Sequence, residues 1–409
     1  MIYTLYMQRT TKLLASLPVL AVLAACSSSS QTAGPTDSGS AALPSNLAVT
    51  ADWLHHTLTL VDFDALIAAG EVGAAPPADG GAQALTAAPG KVGTIDLSSK
   101  AQAPYTVKIT PDGATAIVTM SAGFFSVPGA GILVNAPSIP TGPGEVLFVD
   151  LASRSVVASL ETGDSATGIA ITHDGKRAFI SHAGTTTVTI VDVVAHQKVQ
   201  DVDIGGTFAE EIGLDDSDTV GIVTYLDPAT SQKSVRTFAV ADMAMTLSTP
   251  IPLGTDAAGV PFFPGTKTAY VALAYNPLTS PNSGYAIIDA TQPSSPKMLI
   301  ETKWTDATYV SYEAIAYPAH GTVLVPLAVG GMLIVREYAL GATDLTLQKT
   351  YQVAPTALFG AFGAVVDAQG HMVLTMPGDR KLAVLDLASG ASYTMPWYSQ
   401  PGPLGITRR

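Results

Sequence analysis

The sequence has a single cysteine, Cys26, among its 409 residues. One cysteine excludes a disulfide within the chain, a thiolate metal cluster and the Cys-x-x-Cys-His signature of covalent haem. Charged residues are also scarce, at 13%, and 33 acidic residues against 20 basic ones give a formal net charge of −13. Because phosphate backbones repel such a chain and no basic patch is set aside for them, we expect no nucleic-acid partner.

The usual catalytic signatures are missing as well. The sequence contains neither a phosphate-binding P-loop nor a Gly-x-Ser-x-Gly nucleophile elbow, so no residue stands out as catalytic. What it does contain is 47% hydrophobic residues, 37 glycines and 28 prolines. This composition is typical of many short strands joined by tight turns, with little helix.

The N-terminus has the pattern of an export signal. Arg9 and Lys12 precede an apolar run from Leu13 that is too short to span a bilayer. The run ends in Leu23-Ala24-Ala25-Cys26, which resembles the lipobox of bacterial lipoproteins. The resemblance implies that Cys26 is lipidated, becomes the mature N-terminus and attaches the protein to a membrane. Ser27 after the cysteine favours the outer membrane over the inner one in a cell that has both.

We therefore predict three parts of the chain: a lipoprotein signal peptide over 1–25, a flexible tether over 26–45, and a folded body over 46–409. The tether is rich in Ser, Gly and Pro and has too few large apolar groups to offset the entropy of ordering it. The alternative for the first part is an ordinary signal peptide in which Cys26 is incidental.

The body repeats one pattern of apolar runs and polar turns. A turn recurs as Thr110-Pro111-Asp112-Gly113 and Thr172-His173-Asp174-Gly175. A third apolar run recurs as LTLVDFD, VLFVDLA, VTIVDVV, YAIIDAT and LAVLDLA, with Ala239 and Arg336 taken to replace its Asp in two repeats. Self-similarity with a period of 40 to 50 residues indicates the blades of a β-propeller.

The repeat resembles a known family. Arg177-Ala178-Phe179-Ile180-Ser181-His182 followed by TTTVTIVDV is similar to the YVTN-type seven-bladed β-propeller repeat, and the resemblance extends over the chain after the tether. It implies an all-β fold in which each blade has four antiparallel strands, a to d from the axis to the rim. Such a repeat identifies a fold better than an activity.

Six complete units follow near 104–163, 166–205, 207–254, 257–304, 309–355 and 360–397. A fragment with three strands precedes them, and the C-terminal stretch Gly402–Thr407 matches the start of a first run. We expect the two fragments to combine into a seventh blade, so that the C-terminal strand joins the N-terminal blade and closes the ring.

Propeller topology sorts the loops into two faces. We call the face with the d-to-a and b-to-c loops the near face and the face with the a-to-b turns the far face. The Asp-Gly turns fall on the far face and are interpreted as structural. A long apolar insertion from Gly123 to Gly144 falls on the near face, where it could cover the tunnel mouth as a lid or simply pack on the adjacent blade.

In two repeats a glutamate replaces a small residue at the start of the inner strand, near the near face. The position aligned with Gly168 is small in other repeats, at Thr106, Gly259, Gly363 and Gly405, whereas two repeats have Glu210 and Glu313 there. The two glutamates are expected to flank blade 5, with Glu211, Asp256 and Tyr312 nearby. These residues could hold a divalent cation or orient a polar ligand. The alternative is that they are acidic surface side chains that contact only solvent.

Three histidines also fall on the near-face loops, namely His55, His56 and His182. Imidazoles are common ligands of transition metals. Histidines so far apart in the sequence converge only if the loop geometry allows it, so no cofactor is predicted and the metal remains an open question.

Three functions are compatible with these observations. The favoured one is a non-enzymatic binding or scaffold protein, whose loop-rich face takes an envelope protein, a glycan or a small molecule outside the cytoplasm. The second is a propeller hydrolase resembling sugar-lactone lactonases, with Glu210, Glu313 and His182 as candidates for a general base or a metal site. The third is a subunit of a periplasmic redox complex.

Overall fold

The structure is a computed structural model. It describes residues 42–52, 55–71, 90–121, 143–230, 232–254, 257–273, 283–304, 309–310, 313–341, 344–356, 360–376, 379, 381–397 and 406–408. Within the unit from Ser40 to Arg409, these residues form seven antiparallel sheets, which are the blades of a β-propeller.

We number the strands in chain order. Blades 1 to 3 contain β1 (Leu47–Asp52), β2 (Thr57–Asp62), β3 (Lys91–Asp96), β4 (Ala103–Ile109), β5 (Thr115–Ser121), β6 (Glu145–Asp150), β7 (Ser155–Glu161), β8 (Ala166–Ile171), β9 (Arg177–His182), β10 (Thr187–Asp192) and β11 (Gln197–Asp203). Blades 4 and 5 contain β12 (Ile212–Leu214), β13 (Val220–Asp227), β14 (Gln232–Ala241), β15 (Ala244–Leu247), β16 (Ile251–Pro252), β17 (Thr268–Leu273), β18 (Gly284–Asp289) and β19 (Lys297–Lys303).

The remaining strands belong to blades 6 and 7 and to the closure of blade 1. They are β20 (Tyr309–Val310), β21 (Ile315–Tyr317), β22 (Thr322–Val329), β23 (Met332–Leu340), β24 (Leu345–Pro355), β25 (Gly363–Val366), β26 (His371–Met376), β27 (Lys381–Asp386), β28 (Ser392–Pro396) and β29 (Ile406–Arg408). The outer strand of blade 4 is split into β15 and β16, and the inner strand of blade 6 into β20 and β21. In blade 5 the innermost segment pairs with β17 through two isolated antiparallel bridges, Ala257–Leu273 and Phe262–Ala269.

Both faces of the inner and middle strands are buried, which explains the apolar runs of the sequence. In β10 the four central residues of TVTIVD are all buried. The core consists of the contacts between neighbouring blades: Leu60 of blade 1 packs with Val118 and Leu147 of blade 2. Phe148, on the opposite face of blade 2, packs with Ile180 of blade 3. The hydrophobic stabilisation is therefore distributed around a ring.

The ring closes as the sequence predicts. Strand β29 pairs antiparallel with β1, with Ala48 opposite Arg408 and Thr50 opposite Ile406. The order in blade 1 is β29-β1-β2-β3, so the last strand of the chain is the innermost strand of the first blade. Closure covers the inner edge of β1, whose six residues are all buried.

A short helix, α1 (Phe63–Glu71), follows β2 and is not predicted by the repeat. Asp62 accepts a hydrogen bond from the Ala65 N–H at 3.0 Å and so caps its first turn. Phe63 and Leu66 are buried against Trp397 of blade 7. Among the described residues, no helix has both the length and the apolar character that a bilayer crossing needs.

The Asp that ends the third run caps the turn between strands c and d. Asp192 accepts a hydrogen bond from the Ala195 N–H at 2.8 Å, and Asp386 accepts one from the Ala388 N–H at 2.9 Å. The register confirms Ala239 as the replacement in blade 4. In blade 6 the replacement is Ala339, which lies opposite Thr322, and the assignment to Arg336 is wrong because β23 continues past Arg336 for four more residues.

Candidate functional site

The hydrogen bonds of the a-to-b turns align the inner strands of six blades. In each turn an N–H donates to a carbonyl three residues earlier, and the acceptors are Thr110, Thr172, Asp215, Phe263, Tyr317 and Asp367. The residue four positions before each acceptor is Thr106, Gly168, Glu211, Gly259, Glu313 or Gly363. The structure thus places Glu211, not Glu210, at the position of Gly168, and it keeps Glu313 there.

The one-residue correction has a simple cause. The distance along the chain from Asp192 predicts Glu210, but the loop that enters blade 4 is one residue longer than the loop that enters blade 3. Loop lengths vary between repeats because an extra loop residue costs little free energy, whereas strand register is set by backbone hydrogen bonds.

Glycines in the preceding blades let both glutamates approach closely. A Cβ added to Gly168 would lie 3.2 Å from the Cα of Glu211, and one added to Gly259 would lie 3.2 Å from the Cα of Glu313. Real Cβ atoms rarely come so close to a neighbour, so these positions need glycine for the close approach of a second backbone.

Glu211 and Glu313 interact electrostatically with each other and with Lys108. Lys108 lies on β4, two residues after Thr106. The three side chains come from blades 2, 4 and 6, which are not neighbours in the ring, so they interact around the axis of the propeller. We call Lys108, Glu211 and Glu313 the axial cluster.

The surroundings of the axial cluster oppose ionisation of its carboxyls. Burial raises the pKa of Glu211 well above its ordinary value, the charge of Glu313 raises it further, and Lys108 opposes both effects. Burial also raises the pKa of Glu313 to about 7, again against the effect of Lys108. One carboxylate oxygen of Glu211, Oε1, is buried without a hydrogen-bond partner among the described residues.

Glu210 has a different role from its neighbour. Its Oε1 lies 3.4 Å from the Nζ of Lys233, and both side chains are largely buried. Lys233 also donates to the carbonyl of Phe208 at 3.1 Å. The pair ties the loop before the inner strand of blade 4 to β14, so Glu210 contributes to the structure of the blade.

His182 is fully buried, and both of its ring nitrogens are engaged. Nδ1 lies 2.8 Å from the carbonyl of Thr187 and donates to it, and Nε2 accepts from the N–H of Gly163 at 3.2 Å. Burial lowers the pKa of His182, which favours the neutral ring that this bonding requires. In this arrangement neither nitrogen is available to a metal or a substrate.

His55 and His56 lie in the turn between β1 and β2. His55 is exposed, while His56 is half-buried with φ of 50°. Hydrogen bonds from Ser98 lower the pKa of Asp96, and the nearby charge of His56 adds to that effect. Across the described ranges, no group of three or more His, Cys, Asp or Glu side chains could hold a metal ion.

Several predicted site residues lie outside the described residues, namely Cys26, Asp256, Tyr312 and the insertion over 123–144 apart from its last two residues. Lys108, by contrast, is not among the residues predicted from the sequence. A signal was present, because the residue two positions after the aligned one is Ala170, Gly213, Pro261, Ile315 or Val365 in other blades. A charged residue at an inner-strand position that is uncharged in the other blades indicates that it has an oppositely charged partner nearby.

No family model matches the chain, and no curated protein matches it either. Several solved structures are similar to the chain. A functionally unknown protein from Desulfotomaculum acetoxidans DSM 771 is 15% identical, with a TM-score of 0.63 over 89% of this chain and 99% of that one. The hydrazine synthase of Kuenenia stuttgartiensis is 15% identical, with a TM-score of 0.54 over 69% and 76% of the two chains.

The β-propeller domain of Cps50 (Swd1) from Myceliophteria thermophila is 10% identical, with a TM-score of 0.51 over 72% of this chain and 86% of that one. Identities this low establish a shared β-propeller fold. Because unrelated functions share this fold, the site must carry the argument for function.

Proposed function

We propose that this protein is an exported, lipid-anchored β-propeller that acts as a non-enzymatic binding protein, with its ligand site at the axial cluster. The observation that carries the proposal is the arrangement of Lys108, Glu211 and Glu313, which three separate blades bring together. Glu211 and Glu313 are half-buried and stand where other blades have Gly or Thr. A carboxylate that has lost part of its hydration costs stability. A ligand that supplies positive charge and hydrogen-bond donors would remove this cost.

The axial cluster contains both positive and negative charge, which limits the chemical class of its ligand. Lys108 disfavours a bare metal cation and supplies donors for an anionic or carbonyl group, while the two glutamates favour an ammonium group. We therefore propose a small polar organic ligand that carries an amine. The envelope location rests on the lipobox-like sequence at Cys26, and mass spectrometry of the membrane-extracted protein would test that part separately.

Isothermal titration of the full chain in detergent tests the site. The probes are glycine, ethylamine and CaCl2, each titrated into the wild type, Glu211→Gln, Glu313→Gln and Lys108→Met. We expect glycine to bind and each of the three variants to weaken its binding by roughly tenfold, as for loss of a charged hydrogen bond. Lys108→Met should not weaken the binding of ethylamine, because ethylamine has no carboxylate for Lys108 to contact. Glu161→Gln, on the exposed outer strand β7, is the matched control and should bind like the wild type. Equal affinity in all variants would refute the site.

A hydrolase is the second candidate, and one observation favours it. The pKa of Glu313 is raised to about 7, which suits a general base at neutral pH. Lactone hydrolysis that follows the ionisation of Glu313 and is lost in Glu313→Gln would support this candidate. The redox-complex alternative gains nothing from hydrazine synthase, since that likeness concerns the fold alone.

A further inference from the structure

A cavity lies on the far face, at the junction of blades 6 and 7. Its volume is about 440 Å³, within the range of small-molecule sites. His320 of the a-to-b turn of blade 6 and Ala388 of the c-to-d turn of blade 7 line it. Both turns are on the far face, and no residue of the axial cluster lines the cavity, so this inference is independent of the proposed function.

Glu337 organises one wall of the cavity. Its side chain is only 5% exposed and receives three hydrogen bonds, from His320 Nδ1 at 2.7 Å, Thr322 Oγ1 at 3.0 Å and Tyr351 OH at 2.9 Å. Burial alone would raise the pKa of Glu337, but these donors lower it below its ordinary value. The carboxylate is therefore charged and satisfied, and it orients His320 and Tyr351 without needing a ligand itself.

Three other groups keep hydrogen-bonding capacity toward the cavity. His320 is 54% exposed and uses Nδ1 to donate to Glu337, so Nε2 remains for a ligand, as an acceptor in the neutral ring and as a donor in the protonated one. Lys349 donates to the carbonyl of Leu387 at 3.1 Å and lies 4.5 Å from the centre of the Tyr351 ring. Gln348 donates from Nε2 to the Thr346 carbonyl at 3.3 Å, which leaves its own carbonyl as an acceptor.

The fixed charges of the cavity lining balance. Lys349 carries a positive charge and Glu337 a negative one, and His320 adds a positive charge only when it is protonated. An anion would be attracted by Lys349 and repelled by Glu337, and a cation would meet the reverse, so neither gains much Coulomb energy. A neutral ligand avoids the desolvation cost of a charge and can still use both donors and acceptors.

We propose that this cavity binds a neutral saccharide. Hydroxyl groups both donate and accept, so they can pair with His320 Nε2, the Lys349 ammonium and the Gln348 carbonyl. Ala339, Leu387 and Ala388, which also line the cavity, provide apolar surface for the C–H faces of a sugar ring. Ligand sites of this kind combine apolar lining with a few oriented polar groups.

Histidine ¹H–¹³C NMR of the full chain, in a polyoxyethylene detergent without a sugar headgroup, tests the proposal. The probes are methyl glucoside, methyl galactoside and N-acetylglucosamine as neutral sugars, with glucuronate as the anion and glucosamine as the cation. We expect a neutral sugar to shift the His320 resonance in a saturable way. The histidines of two similar pairs, His173–Asp218 and His371–Asp367, do not line the cavity and should not shift.

Exposed positions supply variants that leave the core intact. We expect Gln348→Ala and Lys349→Met each to weaken binding about threefold or more, with His371→Asn as the control that binds normally. Glu211→Gln should leave the saccharide signal unchanged, which separates this proposal from the axial site. No shift of His320 with any neutral sugar, or tighter binding of glucuronate or glucosamine than of its neutral counterpart, would overturn the proposal.

Discussion

At the scale of single residues, two consecutive glutamates have opposite roles. Glu210 lies in an ion pair with Lys233, while Glu211 belongs to the axial cluster, where burial and the charge of Glu313 raise its pKa. Removal of a charge that has an oppositely charged partner, as at Glu210, lowers the stability of the fold. Removal of a charge that burial and a like charge destabilise, as at Glu211, raises it.

The axial cluster gives the protein a pH-dependent stability. A carboxyl whose pKa is higher in the folded state than in the unfolded state favours folding while it is protonated. That contribution is lost as the pH rises from the ordinary value of 4.5 through the folded value, about 7 for Glu313. We expect Glu313→Gln and Glu211→Gln to unfold like the wild type near pH 4.5 and to be more stable above pH 7, by about 1–3 kcal/mol.

Urea denaturation at both pH values measures this difference. Glu210→Gln is the matched control, because it changes the adjacent residue and leaves Lys233 without its carboxylate. It should lower the free energy of unfolding by about 1–3 kcal/mol at pH 8. A loss of stability at pH 8 in Glu211→Gln as large as that in Glu210→Gln would show that our view of the axial cluster is wrong.

At the scale of elements, the turn between strands c and d depends on one carboxylate in most blades. Asp150, Asp192, Asp289 and Asp386 each accept a hydrogen bond from an N–H two or three residues later. Blades 4 and 6 have Ala239 and Ala339 instead, so the blade tolerates loss of the cap at a moderate cost.

The cost can be measured at Asp192. Replacing Asp192 by Ala removes the bond to the Ala195 N–H and should lower the free energy of unfolding by about 1 kcal/mol, as for other Asp caps. Chemical denaturation at neutral pH checks the value. Glu161→Ala, an exposed acidic residue on β7, should be nearly neutral, and an equal effect of both substitutions would argue against a capping role.

At the scale of the whole molecule, stability depends on the ring being closed. Strand β29 covers β1 along the axis, and its three residues are the last paired ones that the structure describes. Without β29 the backbone groups of β1 would lose their partners on that side, and blades 1 and 7 would no longer be joined through it.

Truncation after Gly402 should therefore cost much more than loss of a surface tail. We expect a decrease on the order of 3 kcal/mol or more from the lost backbone hydrogen bonds. Thermal melting of the full and truncated chains measures it, and removal of Arg409 alone should have no effect. An unchanged melting temperature in the truncated chain would contradict the closure.

The sequence by itself determined the architecture. Apolar runs with a recurrent Asp, Asp-Gly turns and a C-terminal first run predict seven four-stranded blades and their closure, because strand periodicity and turn chemistry are local properties. The recurrent Asp at position 192 and the position of Glu313 follow from the same local signals, whereas the cap that Asp192 forms is seen only in the structure. Exceptions such as α1 and Ala339 occur where an insertion or a longer strand departs from the repeat.

Only the tertiary structure decided which charges meet. Glu211 follows Lys108 by more than a hundred residues, and Glu313 follows Glu211 by more than a hundred again. They interact because alternate blades face one axis. Likewise, the bond of Glu337 to His320 and the pair of Glu210 with Lys233 depend on where strands of one blade place side chains in space. Electrostatic interaction depends on distance and burial rather than on sequence separation, so no repeat pattern could reveal these partners.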